Sequence, residues 1–451
     1  MTHVAFLYDI IDALAAGADV VSFALSRKWK LEGKGVTLGL SRTEHGFKAD
    51  KEMMMMMTAA DSMRPHASHT LLKPGVGAKT VEVPMSGGLL TLGAYYINVT
   101  IGSQPFLALV DTGSSNIWVT GYKPDAKYAP VACNSPVCQK CNTDGSGSCL
   151  FGPPMCENEV CQFGITYGGG GSLAAGPLAT DTICVGGLCT DSAPFGRVET
   201  NLPPGPGALS AIVGLAFERN ACNPSCVPTL FDSLVADNAG VEPFFGMCLT
   251  QDRGGVIDVG FVNTSRVSAP FVDIYVTHEH WYNIEVVDFV IDGHGLGLPE
   301  LVYKVTNDVI GSFVDSGTSL LLLGSLPFAA LAERMTTQYA SLPGMSGSSN
   351  FFTGACFPTS LVDPQLANYP AISVAIKTND PKERTKVVTL AIPASSYLLK
   401  AGSQRCLGIA SVSGIGAILG DVFLENYYTV YYPQAGKISI AEVFESNCVP
   451  S

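Results

Sequence analysis

The chain has 451 residues, a net charge of −13 at pH 7 and only 14% charged residues. That length allows two or three domains with full cores, and the negative balance argues against nucleic acid or an anionic membrane as a partner. With 48 glycines and 28 prolines punctuating short apolar runs, the composition points to a β-rich globular protein with many turns.

The N-terminal stretch "VAFLYDIIDALAAGADVVSFAL" is mostly apolar but contains Asp9, Asp12 and Asp19. Charges there disqualify a signal-peptide core or a membrane span, so no secretory leader is visible. Residues 1–80 carry a net charge of +2 and the remainder −15. This asymmetry fits a pro-segment docked on an acidic cleft and fits an unrelated flexible leader equally well. A run of five Met at 53–57 is low-complexity. No other stretch is long and apolar enough to span a membrane, so no membrane anchor is expected.

From residue 95 onward the chain reads mostly as strand. "YYINVTIG", "FLALV", "AIVGLAF", "WYNIEVVDFVIDG", "VVTLAI", "YYTVYYP" and "GKISIAEV" are rich in Val, Ile, Tyr and Phe and bounded by Gly, Pro and Asn. Two helices are expected, at 228–237 and 326–340, where apolar residues recur at 3–4 spacing after an early Pro. All 14 cysteines lie between Cys133 and Cys448, which reads as a disulfide framework in an oxidising compartment. Six of them fall in 133–161 with spacing C-x4-C-x2-C-x7-C-x6-C-x4-C. That segment reads as a looped insertion, and its pairing stays open among 15 connectivities. Two glycosylation sequons start at Asn98 and Asn263 and are compatible with a secretory route.

The informative feature is an internal repeat. "VDTGSS" at 110–115 recurs as "VDSGTS" at 314–319, each between apolar runs. "AIVGLAF" places Gly214 103 residues after Asp111, and "AILGDVF" places Gly420 105 residues after Asp315. One unit of strand, Asp loop and later Gly-containing strand thus occurs twice, and reads as two duplicated lobes facing each other. A lone Asp at the mouth of an apolar strand is costly unless hydrogen-bonded or paired. If Asp111 and Asp315 converge, the two cannot both ionise, so the pair shares one proton. The ionised partner can then take a proton from water while the protonated one donates to a carbonyl oxygen, giving amide hydrolysis by carboxylates alone. These roles belong to the pair rather than to either residue. Gly113 and Gly317 let the backbone turn tightly and aim N–H groups at the carboxylates. Ser114 and Thr318 can hydrogen-bond the outer oxygens, and Thr112 and Ser316 can brace one loop against the other.

At these residues the chain resembles the pepsin-like aspartic endopeptidases. "YYINVTIGSQPFLALVDTGSSNIWV" looks like that family's first catalytic hairpin, "FGITYGGGGSLAAGPLATDTI" like its flap, and "GAILGDVFLENYYTVYYPQAGKISIAE" like its C-terminal strands. The resemblance covers roughly 85–446. It implies an all-β, bilobal fold with a cleft between lobes at 81–265 and 266–451, preceded by a leader or pro-segment at 1–80. It puts Tyr167 at the flap-tyrosine position and Trp118 as its hydrogen-bonding partner. "PVACNSPVCQKC" and "FFGMCLT" resemble the nepenthesin-type branch, found in plants and protists. That likeness implies pairs Cys356–Cys406 and Cys248–Cys448, with local pairs Cys184–Cys189 and Cys222–Cys226. It also implies protein or peptide substrates, no cofactor, a monomer, and an extracellular, vacuolar or lysosomal location. The flap departs from the family in its four glycines at 168–171.

Two other features receive bland readings. His278 and His280 in "HEHW" stand on one face of a strand at metal-ligand spacing, but no third ligand is apparent. Cys138 and Cys141 form a C-x2-C without a matching second pair. No metal site is expected. The alternative function is a catalytically inactive protein of this fold that binds and inhibits another protein; such proteins have usually lost part of the dyad set, which this chain keeps, so inactivity here would come from a distorted flap. For maturation, a lysine among Lys73, Lys79 or the basic cluster at 27–34 would pair with the dyad at neutral pH.

Overall fold

Residues Ala94–Ile101 form a strand whose alternation places Val99 and Ile101 inside and Asn98 and Thr100 outside. A two-residue turn follows, with Gly102 at φ 58°, and the chain returns as the antiparallel strand Gln104–Asp111. The computed structural model describes residues 78–450 except 125–126, 139–155, 168–171, 192, 203–209, 222–226, 307–308 and 384. Residues 1–77 thus lie outside the described residues. So do Cys141, Cys149, Cys222, Cys226 and the glycines at 168–171.

The sequence repeat is a structural repeat. In the first half, Gln104–Asp111 runs parallel to Ala211–Gly214, with Gly214 opposite Asp111. Ala211–Gly214 in turn runs antiparallel to Ile117–Thr120, the strand that leaves the Asp loop. In the second half, Ser312–Val314 runs parallel to Ala417–Leu419, and Ala417–Leu419 runs antiparallel to Leu321–Leu323. In each half the later strand is threaded between the two arms of an Asp loop. These central strands are buried on both faces, which is why they read as continuous apolar runs. The two predicted helices are observed at Leu230–Asp237 and Ser325–Gln338. The first is capped by Thr229, whose hydroxyl accepts from Asp232 N at 3.1 Å.

The two halves are joined by hydrogen-bonded strands. Phe245–Leu249 pairs with Tyr427–Tyr432, and Val272–Tyr275 pairs with Lys437–Glu442. The C-terminal strands therefore belong to the same sheet as Val81–Gly88 and Ala94–Ile101, and the sequence boundary near 265 is not a break in that sheet. Arg266 pins this junction. It is 2% exposed and donates to both oxygens of Asp258, to Glu82, and to the carbonyls of Asn447 and Val449. Cys248–Cys448 closes the same region.

Other disulfides among the described residues are Cys184–Cys189, Cys356–Cys406, Cys133–Cys156 and Cys138–Cys161. The last two resolve part of the pairing that the sequence left open. Two expectations are corrected. His278 and His280 lie in a tight turn before the strand Tyr282–Ile291, not along a strand face, because Thr277 N bonds Asn283 O at 2.9 Å and closes a loop there. Lys79 is not at the dyad. Its ammonium donates to Asn238 Oδ1 at 3.0 Å and its N–H to Gly240 O at 2.7 Å, at the end of the first helix.

Replacing Arg266 with Met leaves Asp258 buried without its counter-charge. The variant should lose about 3–5 kcal/mol in urea unfolding near neutral pH. The loss should shrink in acid, since burial already raises the Asp258 carboxyl above its usual range and protonation removes the stranded charge.

Candidate active site

Each Asp loop is built by its own backbone. Gly113 N–H donates to Asp111 Oδ1 at 2.8 Å, and Ser114 Oγ donates to Oδ2 at 2.5 Å. In the second half Gly317 N–H donates to Asp315 Oδ1 at 2.8 Å, and Thr318 Oγ1 donates to Oδ2 at 2.6 Å. The loops then grip each other across the boundary. Thr112 N donates to Ser316 Oγ at 3.1 Å, Ser316 N to Thr112 Oγ1 at 2.9 Å, and Ser316 Oγ to Val110 O at 2.9 Å. Residues 204 apart in sequence are thereby held by reciprocal, fully buried bonds.

The glycines aim their N–H groups at the carboxyls as expected, and they serve a second purpose as well. Neither Gly113 nor Gly317 has a positive φ. A Cβ on Gly113 would sit 2.6 Å from Asp315 Oδ1, and one on Gly317 would sit 2.4 Å from Asp111 Oδ1. Each glycine vacates the space that the opposite carboxyl occupies. Gly214 and Gly420 do the same one layer behind, against the backbones of the two Asp loops.

The carboxyls are 5% and 7% exposed, and no cation pairs with either among the described residues. Burial first, and then the charge of Asp315, pushes Asp111 up to about 8 against the opposing bonds from Ser114 and Gly113. Burial also raises Asp315, opposed by Thr318 and Gly317. The pair therefore keeps one proton far above the usual carboxyl range.

Above the pair, Val160–Tyr167 and Ser172–Thr180 form an antiparallel hairpin in which Tyr167 faces Ser172. The Trp118 indole N–H donates to the Tyr167 hydroxyl at 2.7 Å. Burial, and then the nearby Asp111, raise the Tyr167 phenol, so it stays neutral. Trp118 is itself fixed between Gly196 and Ile212.

One acid was missed in the sequence. Asp421 follows Gly420 directly and is 1% exposed, and neither of its carboxyl oxygens has a hydrogen-bond partner among the described residues. Burial, and then the charges of Asp315, Glu425 and Asp111, raise it well above the usual range, so it stays protonated. The only sequence signal was an Asp directly after the matched glycine of the second unit, where the first unit has Leu215. Asn98 is exposed on its strand, whereas Asn263 is half-buried and caps a short turn by accepting from Ser265 N at 3.2 Å. No group of three metal-ligating side chains occurs among the described residues.

The family model described as eukaryotic aspartyl protease matches residues 94–443. The chain is 26% identical over 366 residues to cathepsin E of Aquarana catesbeiana, covering 77% of this chain and 79% of that protein. It is 28% identical to penicillopepsin-3 of Penicillium janthinellum over 77% of this chain and 78% of that one. It is also 28% identical to vacuolar protease A of Neurospora crassa, with the same two coverages.

The raised carboxyls fix the direction of the pH dependence of stability. Asp111, Asp315 and Asp421 bind protons more tightly folded than unfolded. Their contribution is complete below the ordinary carboxyl pKa and is lost as pH rises through their raised values, about 8 for Asp111. The thermal midpoint should therefore fall by at least ~5 °C between acidic and neutral buffer, and Asp421→Asn should flatten that fall in calorimetry at both pH values.

Proposed function

Because the chain belongs to the eukaryotic aspartyl protease family, we propose that it is an endopeptidase that hydrolyses proteins at acidic pH through Asp111 and Asp315. The observation that carries this reading is the buried pair of carboxyls braced by reciprocal bonds between Thr112 and Ser316. The ionised member takes a proton from a water, whose oxygen attacks the peptide carbonyl carbon. The protonated member gives its proton to the carbonyl oxygen, forming a tetrahedral diol. The first member then passes the proton it took from water to the leaving nitrogen, the C–N bond breaks, and a diol hydroxyl gives its proton to the second carboxyl as the carbonyl reforms. Ser114 and Thr318 are positioning residues, each donating to the Oδ2 oxygen of its own loop's carboxyl.

The hairpin carrying Tyr167 would cover an extended peptide that adds as a strand in the cleft. Against the inactive-inhibitor alternative stands the intact dyad set, in which every member from Thr112 to Ser114 and from Ser316 to Thr318 makes its bond. The cysteine pairs support placement in the nepenthesin-type branch. Five disulfides among the described residues also support a secretory route ending outside the cell or in a vacuole or lysosome. Residues 1–80 act in this reading as the pro-segment, with lobes at 81–265 and 266–451 in a monomer. Asn98, exposed on its strand, is the better placed of the two glycosylation acceptors.

Hydrolysis of acid-denatured haemoglobin should peak in acid and fall as the shared proton is lost on raising the pH. Pepstatin should block it, and Asp315→Asn should lower kcat by about 10³-fold or more. A folded, processed protein that cleaves nothing at any pH would overturn the reading.

A further inference from the structure

The loop 277–283 carries four half-buried residues at its tip, His278, Glu279, His280 and Trp281. It is fastened to both dyad strands. Trp281 stacks on Phe313 with ring centroids 5.1 Å apart and planes 19° apart, and Phe313 lies two residues before Asp315. The next residue, Tyr282, is fully buried and donates to Leu215 O at 2.9 Å, while Leu215 N donates to Asp111 O at 2.7 Å. The Tyr282 ring also packs on Phe217 at 4.7 Å. Directly after Phe217 comes the short turn Glu218–Ala221, which presents exposed Arg219 from the first half of the molecule. Arg219 and His278 both act electrostatically on His280, which burial already disfavours as a cation. Basic side chains from both halves therefore meet on a loop and a turn tied to the strands around the dyad, in a protein whose net charge is −13.

The facing charges are few. Glu279 shares the loop tip, Glu218 precedes Arg219 and has an interaction of its own, and Asp232 lies below against Tyr282 while it accepts from Thr229. Arg219 is the constant cation here. Burial, and then Arg219 and His278, hold the His280 imidazole below its ordinary value, so it adds its charge only as the medium becomes acidic. Acidic conditions are those in which the dyad would work.

We propose that Arg219 and His280, with His278 beside them, form a cationic subsite flanking the dyad that selects an acidic side chain of the peptide substrate. Trp281 supplies its apolar wall and fixes the loop against the strand that carries Asp315. The inference rests on the peptidase reading and deepens it, by naming the side-chain class that one subsite prefers.

The test uses peptides that share one cleavable bond and differ only in Glu, Gln or Lys at each of three positions on either side. The readout is the ratio of kcat/KM for Glu over Gln within each enzyme. Near pH 5 the processed wild-type protein should favour Glu by roughly 3- to 10-fold at one position and disfavour Lys there. Arg219→Gln should bring that ratio close to one, and His280→Gln should remove its rise as the pH falls below the ordinary imidazole value of about 6.5. A wild-type ratio near one at every position overturns the subsite, as does a ratio unchanged in both variants. Both of those outcomes leave the peptidase reading intact. If the wild type cleaves none of the peptides, the Gln series included, the peptidase reading falls and the subsite with it.

Discussion

Two carboxyl groups, each too buried to ionise freely, must share one proton at the meeting point of two loops that are 204 residues apart in sequence. Like charges at close range in a dry setting cost far more than in water, so this arrangement persists only where the surroundings dictate it. The surroundings here are symmetric. Each carboxyl receives one backbone N–H and one hydroxyl from its own loop, and each loop leaves a glycine-sized gap for the other's carboxyl. The same bonds that stabilise each ionised form are outweighed by burial, so both groups remain poised above the usual carboxyl range.

That poise depends on the frame behind it. A strand threaded between the arms of each Asp loop fixes where the loop points, and Gly214 and Gly420 let the loop backbones lie against those strands. The reciprocal bonds of Thr112 and Ser316 then hold the two frames in register. A third acid, Asp421, sits against this assembly without a hydrogen-bond partner among the described residues and is held neutral by burial. The base of the site thus holds three carboxyls whose protonated forms are favoured by burial, which aligns the stability of the fold with acidic conditions.

The surface beside the dyad has the opposite character. The Trp281 loop and the turn bearing Arg219 are anchored to the same two strands that deliver the carboxyls. A charge placed there is held at a fixed offset from the reacting bond, which is the requirement for selecting one side chain of an extended substrate. The sheet junction secured by Arg266 keeps the halves joined, so this offset spans the boundary without depending on a flexible linker.

The duplicated Asp motifs, the matched glycine strands and the apolar runs around them were legible in the sequence, because a buried strand and a tight Asp loop each leave a local pattern. The same holds for the two helices, whereas Trp118 and Tyr167 were found only through the likeness of their segments to the family's first hairpin and flap. Local pattern could not reveal why Gly113 and Gly317 are glycine, since the clash that forbids a side chain comes from the other half of the molecule. It could not place His278 and His280 in a turn, because a single bond from Thr277 to Asn283 overrides the strand-like alternation. Nor could it distinguish Asp421 from an ordinary capping residue, because its neutrality arises from burial beneath two distant carboxyls. The sequence by itself determined which elements form and which two acids matter. The tertiary structure alone decided what surrounds them, because the energy of a buried charge is set by its neighbours in space, and here those neighbours are brought together across the whole length of the chain.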